Sequence, residues 1–283
     1  MNGNIQEICI QKTSFKGSSS HPFHQLTPDF ILNALDELGY ITDSRLLPLN
    51  SYENRVYQIG IQDSSPIIGK FYRPNRWNKK QILEEHQFCF ELVEQELPIV
   101  APLISEGGES LFQYKGFHFA LFPRKGGYGP ELDNLDNLYL LGKLLGRIHA
   151  VGSIRPFSHR NTLNSNTFGY ESSKFVSENF IPAELKLSYD SLVKDLMKTI
   201  DEVVSNAGDI QNIRVHGDCH SGNILWRDDN AHFVDLDDAM MAPAIQDIWM
   251  LLSGNRDRQN AQLSEIIDGY NEFFDFHPRE LKL

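Results

Sequence analysis

The segment "HGDCHSGNILW", His216 to Trp226, packs two histidines, an aspartate and a cysteine into its first five positions, and carries Asn223 five residues after Asp218. Two chemistries compete for it. His216, Asp218, Cys219 and His220 are all of metal-ligating type, so a zinc cage is one reading. The pair Asp218 and Asn223 offers the other. A carboxylate can orient an attacking hydroxyl and take its proton, and an amide oxygen can help hold magnesium, as phosphoryl transfer requires.

Spacing separates the two. Zinc sites use ligand pairs such as C-x-x-C or H-x-x-x-H. Cys219 and His220 are adjacent and point different ways on most backbones, and Cys9 and Cys89 lie far away in sequence. Protein kinase loops read H-x-D-x-x-x-x-N, followed by a metal-binding aspartate at the end of a later strand. His216, Asp218 and Asn223 keep that spacing, and "HFVDLDD" places Asp235 at a strand end. On this reading Asp218 and Asp235 are the catalytic carboxylates, with Asp218 as base, and Asn223 and Asp235 bind Mg2+. Cys219 and His220 become packing residues, and His216 a hydrogen-bonded interior imidazole.

Such a site needs a cation for the nonreacting phosphates. "IIGKFYR" puts Lys70 on a strand, ahead of the helical segment "NKKQILEEHQFCFELVEQEL". At about 100° per residue, Ile82, Leu83, Cys89, Phe90, Leu92, Val93 and Leu97 of that segment share one side. Glu85 falls at its edge and Glu84 faces water. A partly buried Glu85 calls for a cation, and Lys70 is the expected partner. The turn before the lysine strand, "LPLNSYENRVY", has no glycine; Asn50, Ser51 and Asn54 could donate to phosphate instead. The basic run Lys70, Arg73, Arg76, Lys79 and Lys80, with Phe71, Tyr72 and Trp77, is better read as a solvated loop than as a nucleic-acid patch, because the whole chain is acidic.

The elements that must position these groups follow from patterning. Residues 1–26 read as a flexible extension. A short helix follows, with Thr27 as cap, Pro28 in its first turn and Gly39 at its end. "YENRVYQIGI" and "SSPIIGKFYR" form a hairpin around "QDSS". "GFHFALFP" is a strand closed by Pro123, and "RKGGYGPELDNLDN" is a lobe boundary. Beyond it lie a helix at "NLYLLGKLLGRIHAVG", one or two helices ending at Gly208, strands at "NIRVHGD" and "AHFVDLDDA", and two closing helices, "PAIQDIWMLLSG" and "AQLSEIIDGYNEFFDF". The fold expected is α+β and two-lobed, with an ATP-binding lobe over 27–123, a catalytic and acceptor-binding lobe over 124–283, and a cleft between.

Bulk numbers bound the partners. The chain has 283 residues, 41% hydrophobic and 23% charged, enough for a large core. A net charge of -12 argues against nucleic acid and anionic membrane as partners. Three scattered cysteines fit a reducing compartment, and neither a secretory start nor a membrane-length apolar run is present, so a cytoplasmic location is expected.

"HGDCHSGNIL" with "VDLDD" resembles the aminoglycoside phosphotransferase and choline kinase superfamily, which shares the protein kinase fold. "LNSYENRVYQ", "KFYRP", "QILEEHQF", "GNILWRD", "FVDLDDA" and "QDIWMLL" resemble its RdoA/YihE-type branch of bacterial stress-response serine/threonine kinases, from about Thr27 to about Phe274. The resemblance implies ATP and Mg2+ and phosphorylation of protein Ser/Thr including the kinase itself; a monomer is the expected state. It implies Ser51 as an ATP contact, Lys70 and Glu85 as an ion pair, and main-chain groups from Phe122 to Arg124 against adenine. Asp247 resembles an aspartate that braces the catalytic loop. Gly217 stands where many protein kinases carry an arginine that receives an activation-loop phosphate, so control by that route is not expected. Further C-terminal helices are expected beyond "HPRELKL" in this branch. The alternatives are a small-molecule kinase of the same fold, acting on an amino alcohol or sugar, and an inactive nucleotide-binding scaffold.

Overall fold

The structure, a computed structural model, describes residues 22–283. Most of the expected extension, and Cys9 with it, lies outside the described residues. Its end is no loose chain: Phe23 and Leu26 are buried among N-lobe core residues. Helix α1 (Pro28–Asp36) starts where expected, with the Thr27 hydroxyl accepting from the Phe30 amide at 3.2 Å, and Gly39 turns the chain in the left-handed region.

Five antiparallel strands form the N-lobe sheet: β1 (Thr42–Leu49), β2 (Arg55–Ile61), β3 (Ile67–Phe71), then, after helix α2 (Lys79–Glu94), β4 (Phe112–Tyr114) and β5 (Phe117–Pro123). Their spatial order is β1-β2-β3-β5-β4, so β3 is the central strand. Lys70 sits on it opposite Val56 of β2 and Ala120 of β5, held by partners on both sides. The hairpin β2–β3 matches the pattern reading. Strand β1 was not legible because it is a mostly exposed edge, with Ser44 at positive φ, a register shift between Thr42 and Leu46, and Pro48.

A capping box joins Asn78 and Gln81 at the start of α2. Its buried stripe is Ile82, Glu85, His86, Phe88, Cys89 and Leu92; Leu83 and Val93, expected on that side, are exposed. The helix serves both lobes. Phe88, Cys89 and Leu92 join an apolar cluster with Leu138, Leu141, Leu145, Val215 and Phe233 of the C-lobe. Glu91 pairs with Arg214 at 2.8 Å and with Arg155. Glu84, expected to face water, instead accepts from the backbone amides of Ser158, His159 and Arg160.

The C-lobe continues with α3 (Leu135–Ser153), α4 (Ser172–Asn179), α5 (Ala183–Ala207), β6 (Ile213–Val215), β7 (Ile224–Arg227), β8 (Asn230–Phe233), β9 (Met240–Ala242), α6 (Ile245–Ile248) and α7 (Arg256–Tyr270). Helix α3 packs along α7, and α5 ends at Gly208 as expected. Two small antiparallel pairs, β6–β9 and β7–β8, frame the opening motif. The helix expected at "PAIQDIWMLLSG" shrinks to one turn plus a 3-10 turn, Trp249–Leu251. The whole is an α+β, two-lobed, kinase-like fold.

Candidate active site

Strand β6 delivers the chain to His216, and the loop that follows is fixed from behind. One Asp247 oxygen accepts from the His216 amide at 2.7 Å and from His149 Nε2 at 3.0 Å; the other accepts from the Gly217 amide at 2.8 Å. His149 Nδ1 in turn meets the Tyr270 hydroxyl at 2.9 Å. Burial alone raises the Asp247 carboxyl, but the His149 hydrogen bond, the neighbouring histidines and the Gly217 amide outweigh it, holding the group below its usual range. The bracing role expected of Asp247 is therefore visible as geometry. Gly217 has φ +87°, and a Cβ there would lie 2.1 Å from the Asp238 carbonyl oxygen, so an arginine cannot occupy this position. His216 is buried, its Nε2 at 2.9 Å from the Val234 carbonyl, tying the loop to the strand before Asp235. Cys219 is fully buried in the C-lobe core, the packing place expected of it.

Asp218 faces the opposite way. Its side chain is 39% exposed and lines a cleft of about 660 Å³ shared with Ser51, Asn54, Arg76, His220, Asn223, Asp235 and Asp237. The Asn223 amide donates to the Asp218 carbonyl at 2.9 Å and to its carboxylate at 3.1 Å. Among the described residues nothing donates to Asn223 Oδ1, which leaves it for a cation. Asp235 takes a left-handed conformation, φ 60°, just beyond β8 and turns a half-exposed carboxylate to the same cleft. Two protein oxygens, one anionic, suit a magnesium ion whose other ligands are phosphate oxygens and water. The residues present fit the implied metal.

Lys70 departs from expectation. Its ammonium binds Asp235 at 2.7 Å and Asp237 at 3.3 Å. Among the described residues Glu85 forms no ion pair, and its Oε2 has no hydrogen-bond partner. The Lys70–Glu85 pair is thus replaced by a lysine bridging two aspartates. Burial opposes the Lys70 charge, but Asp235, Asp237 and the nearby Glu85 overcome it and hold the lysine well above its ordinary value. Burial pushes Glu85 up to about 7 against the pull of Lys70.

Asp237 is the site residue that spacing did not single out. It is buried, and one oxygen gathers Asn54 Nδ2 at 3.0 Å, Arg76 at 2.9 Å and Trp77 Nε1 at 3.4 Å. Burial works to raise its carboxyl, but Lys70 and Arg76 lead a group that keeps it below the usual range. Arg160, stacked 4.1 Å from the Trp77 ring centroid, bonds the carbonyl oxygens of Asp237 and Ala239. The only sequence signal was an acidic repeat, "DLDD", with more carboxylates than the metal needs.

Asn54 is consumed by this cluster. Its amide nitrogen binds Asp237 and its oxygen accepts from the Arg73 amide at 3.1 Å, so the side chain clamps the lobes instead of reaching for phosphate. Ser51 lines the cleft, its hydroxyl donating to the Asn54 carbonyl at 3.1 Å. Phe122 is half-buried on β5 opposite Ile68, and Arg124 is exposed, its Nε bonding Gln58 at 2.8 Å; neither side chain lines the cleft. His220, expected as packing, is half-exposed and lines the cleft.

A two-lobed fold with a braced HGD…N loop and a DLD carboxylate across a cleft defines a phosphotransferase. The chain belongs to the phosphotransferase enzyme family APH, whose sequence profile matches residues 45–283. It is 45% identical over 272 residues to Stress response kinase A of Escherichia coli strain K12, covering 94% of this chain and 80% of that one. It is 44% identical over 262 residues to Serine/threonine protein kinase RdoA of Salmonella typhimurium strain LT2, covering 92% and 79%. In fold it is similar to amicoumacin kinase hAmiN in complex with AMP-PNP, Ca2+ and Ami, with a TM-score of 0.71 at 19% identity, covering 88% of this chain and 78% of that one.

Proposed function

We propose that this phosphotransferase uses ATP and Mg2+ to phosphorylate Ser and Thr hydroxyls of proteins, its own included, in a bacterial stress response. One observation carries the reaction class: the Asp218 carboxylate opens into the cleft beside Asn223 and Asp235, while the backbone behind it is fixed by Asp247. The names of the relatives at 44–45% identity support the protein acceptor and the stress role. The cleft itself is lined by the β1–β2 turn, Val56, Arg76, the catalytic loop and the DLDD segment.

Asp218 orients the acceptor hydroxyl and takes its proton. Asn223 Oδ1 and the Asp235 carboxylate would hold the magnesium ion, and ATP supplies the phosphoryl group. Lys70 exchanges Asp235 for nonreacting phosphate oxygens. Ser51 and the main chain from Phe122 to Arg124 position the nucleotide. The same reading has the chain acting as a cytoplasmic monomer on protein, without nucleic acid or membrane. Among the described residues no helix is long and apolar enough to cross a membrane.

Incubation with γ-labelled ATP and magnesium, followed by gel electrophoresis, tests the reading. Label is expected on the chain itself or on a generic protein, and Asp218→Ala should abolish it while Mg-ATP still raises the melting temperature. Turnover of an amino alcohol or sugar with no labelled protein would assign the small-molecule activity instead. Binding without any transfer would leave a scaffold.

A further inference from the structure

The imidazole of His220 is held in one orientation by its own loop. Its Nδ1 accepts from the Gly222 amide at 2.9 Å, which leaves the ring proton on Nε2. That nitrogen lies 3.6 Å from Asp218 Oδ2, beyond hydrogen-bond range, so the donor is near the base but not bonded to it. The side chain is 49% exposed and lines the same cleft as Asp218, Asn223 and Asp235. Gly222 makes the arrangement possible. A Cβ there would lie 2.6 Å from the ring Cε1 and 2.9 Å from Nδ1, so any larger residue would push the imidazole off its seat. Gly222 is not at positive φ, so its small size, not its backbone freedom, is what the ring requires.

We propose that His220 is a further catalytic residue, whose Nε2–H donates a hydrogen bond to an oxygen of the phosphoryl group in transit. The proposal rests on the phosphoryl-transfer reading. In the step it serves, Asp218 takes the proton of the acceptor hydroxyl. The acceptor oxygen forms its bond to phosphorus as the bond between phosphorus and the bridging oxygen breaks, with that electron pair leaving on ADP. His220 gains and loses no proton. A preorganised donor beside the base, where charge shifts, stabilises the transition state more than the ground state, and removing one such donor lowers turnover by on the order of 10²-fold in other sites.

The test compares affinity for two analogues by calorimetry: Mg·AMP-PNP for the ground state and Mg·ADP with fluoroaluminate for the transferring phosphoryl group. His220→Ala should weaken the fluoroaluminate complex at least tenfold and leave AMP-PNP affinity within twofold. His220→Gln, which keeps an amide donor, should recover part of that loss. Gly222→Ala, which leaves the histidine in place but displaces its ring, should resemble His220→Ala. In labelled wild type, nitrogen NMR should show the Nε2–H tautomer at His220, and Gly222→Ala should change that signal. Equal loss for both analogues, or loss for neither, overturns the proposal. If wild-type protein binds neither analogue, or Asp218→Ala transfers phosphate at the wild-type rate, the functional reading falls and the proposal with it.

Discussion

Asp247 and Glu85 are both buried carboxylates that serve one cleft, and the fold treats them in opposite ways. Asp247 receives two backbone amides and an imidazole, and those bonds hold it ionised. Glu85 has an unpartnered oxygen and is pushed up to about 7 by burial, because the lysine that would neutralise it has gone to Asp235 and Asp237. The difference separates two jobs. On the proposed function the catalytic loop keeps its place, and its brace is saturated. On the same reading Lys70 changes partners when nucleotide arrives, and Glu85 is the carboxylate held in reserve. Helix α2, which carries Glu85, is not free to swing. Glu84, Glu91, Phe88 and Leu92 fasten it to the C-lobe, so the exchange falls on side chains.

Breaking the saturated side should cost most. Asp247→Ala leaves two buried amides and His149 without their acceptor, and about 3–5 kcal/mol of unfolding free energy should be lost in urea titration, with activity. A loss below 1 kcal/mol would mean that the loop is held by something else. Asp237→Asn comes next. It removes the negative charge that gathers Lys70, Arg76 and Asn54 but keeps the shape, and about 2–3 kcal/mol should go. Lys70 should then approach Glu85, and the Glu85 carboxyl should titrate lower by carbon NMR. An unchanged Glu85 titration would break the link drawn between the two aspartates and the reserve carboxylate.

The smallest effect concerns pH. A carboxyl raised in the folded state costs nothing while both states are protonated, below about 4.5. From there towards 7 the unfolded chain loses its proton first, so stability falls as pH rises. Asp247 has the reverse sign: its contribution is present above the usual aspartate value and fades as pH drops below it. Glu85→Gln should therefore match wild type near pH 4.5 and remove the decline between 4.5 and 7. Parallel stability curves for the two proteins would show that Glu85 is paired in solution.

Sequence by itself determined the local pieces. The His216–Asp218–Asn223 spacing, Asp235 at a strand end, Lys70 on a strand and the Thr27 and Asn78 helix starts all depend on residues within one element or one turn, where short-range sterics leave few choices. Edge strand β1 escaped because an exposed edge has no alternation to read. What only the tertiary structure decided was allocation among competing partners. Lys70 had three carboxylates within reach of its charge, and packing brought Asp235 and Asp237 closest. Asn54 went to Asp237, and of the adjacent Cys219 and His220 one was buried and the other turned into the cleft. Coulomb and hydrogen-bond energies change steeply over an ångström, and distances that fine between residues far apart in sequence are set by packing, which no local pattern encodes.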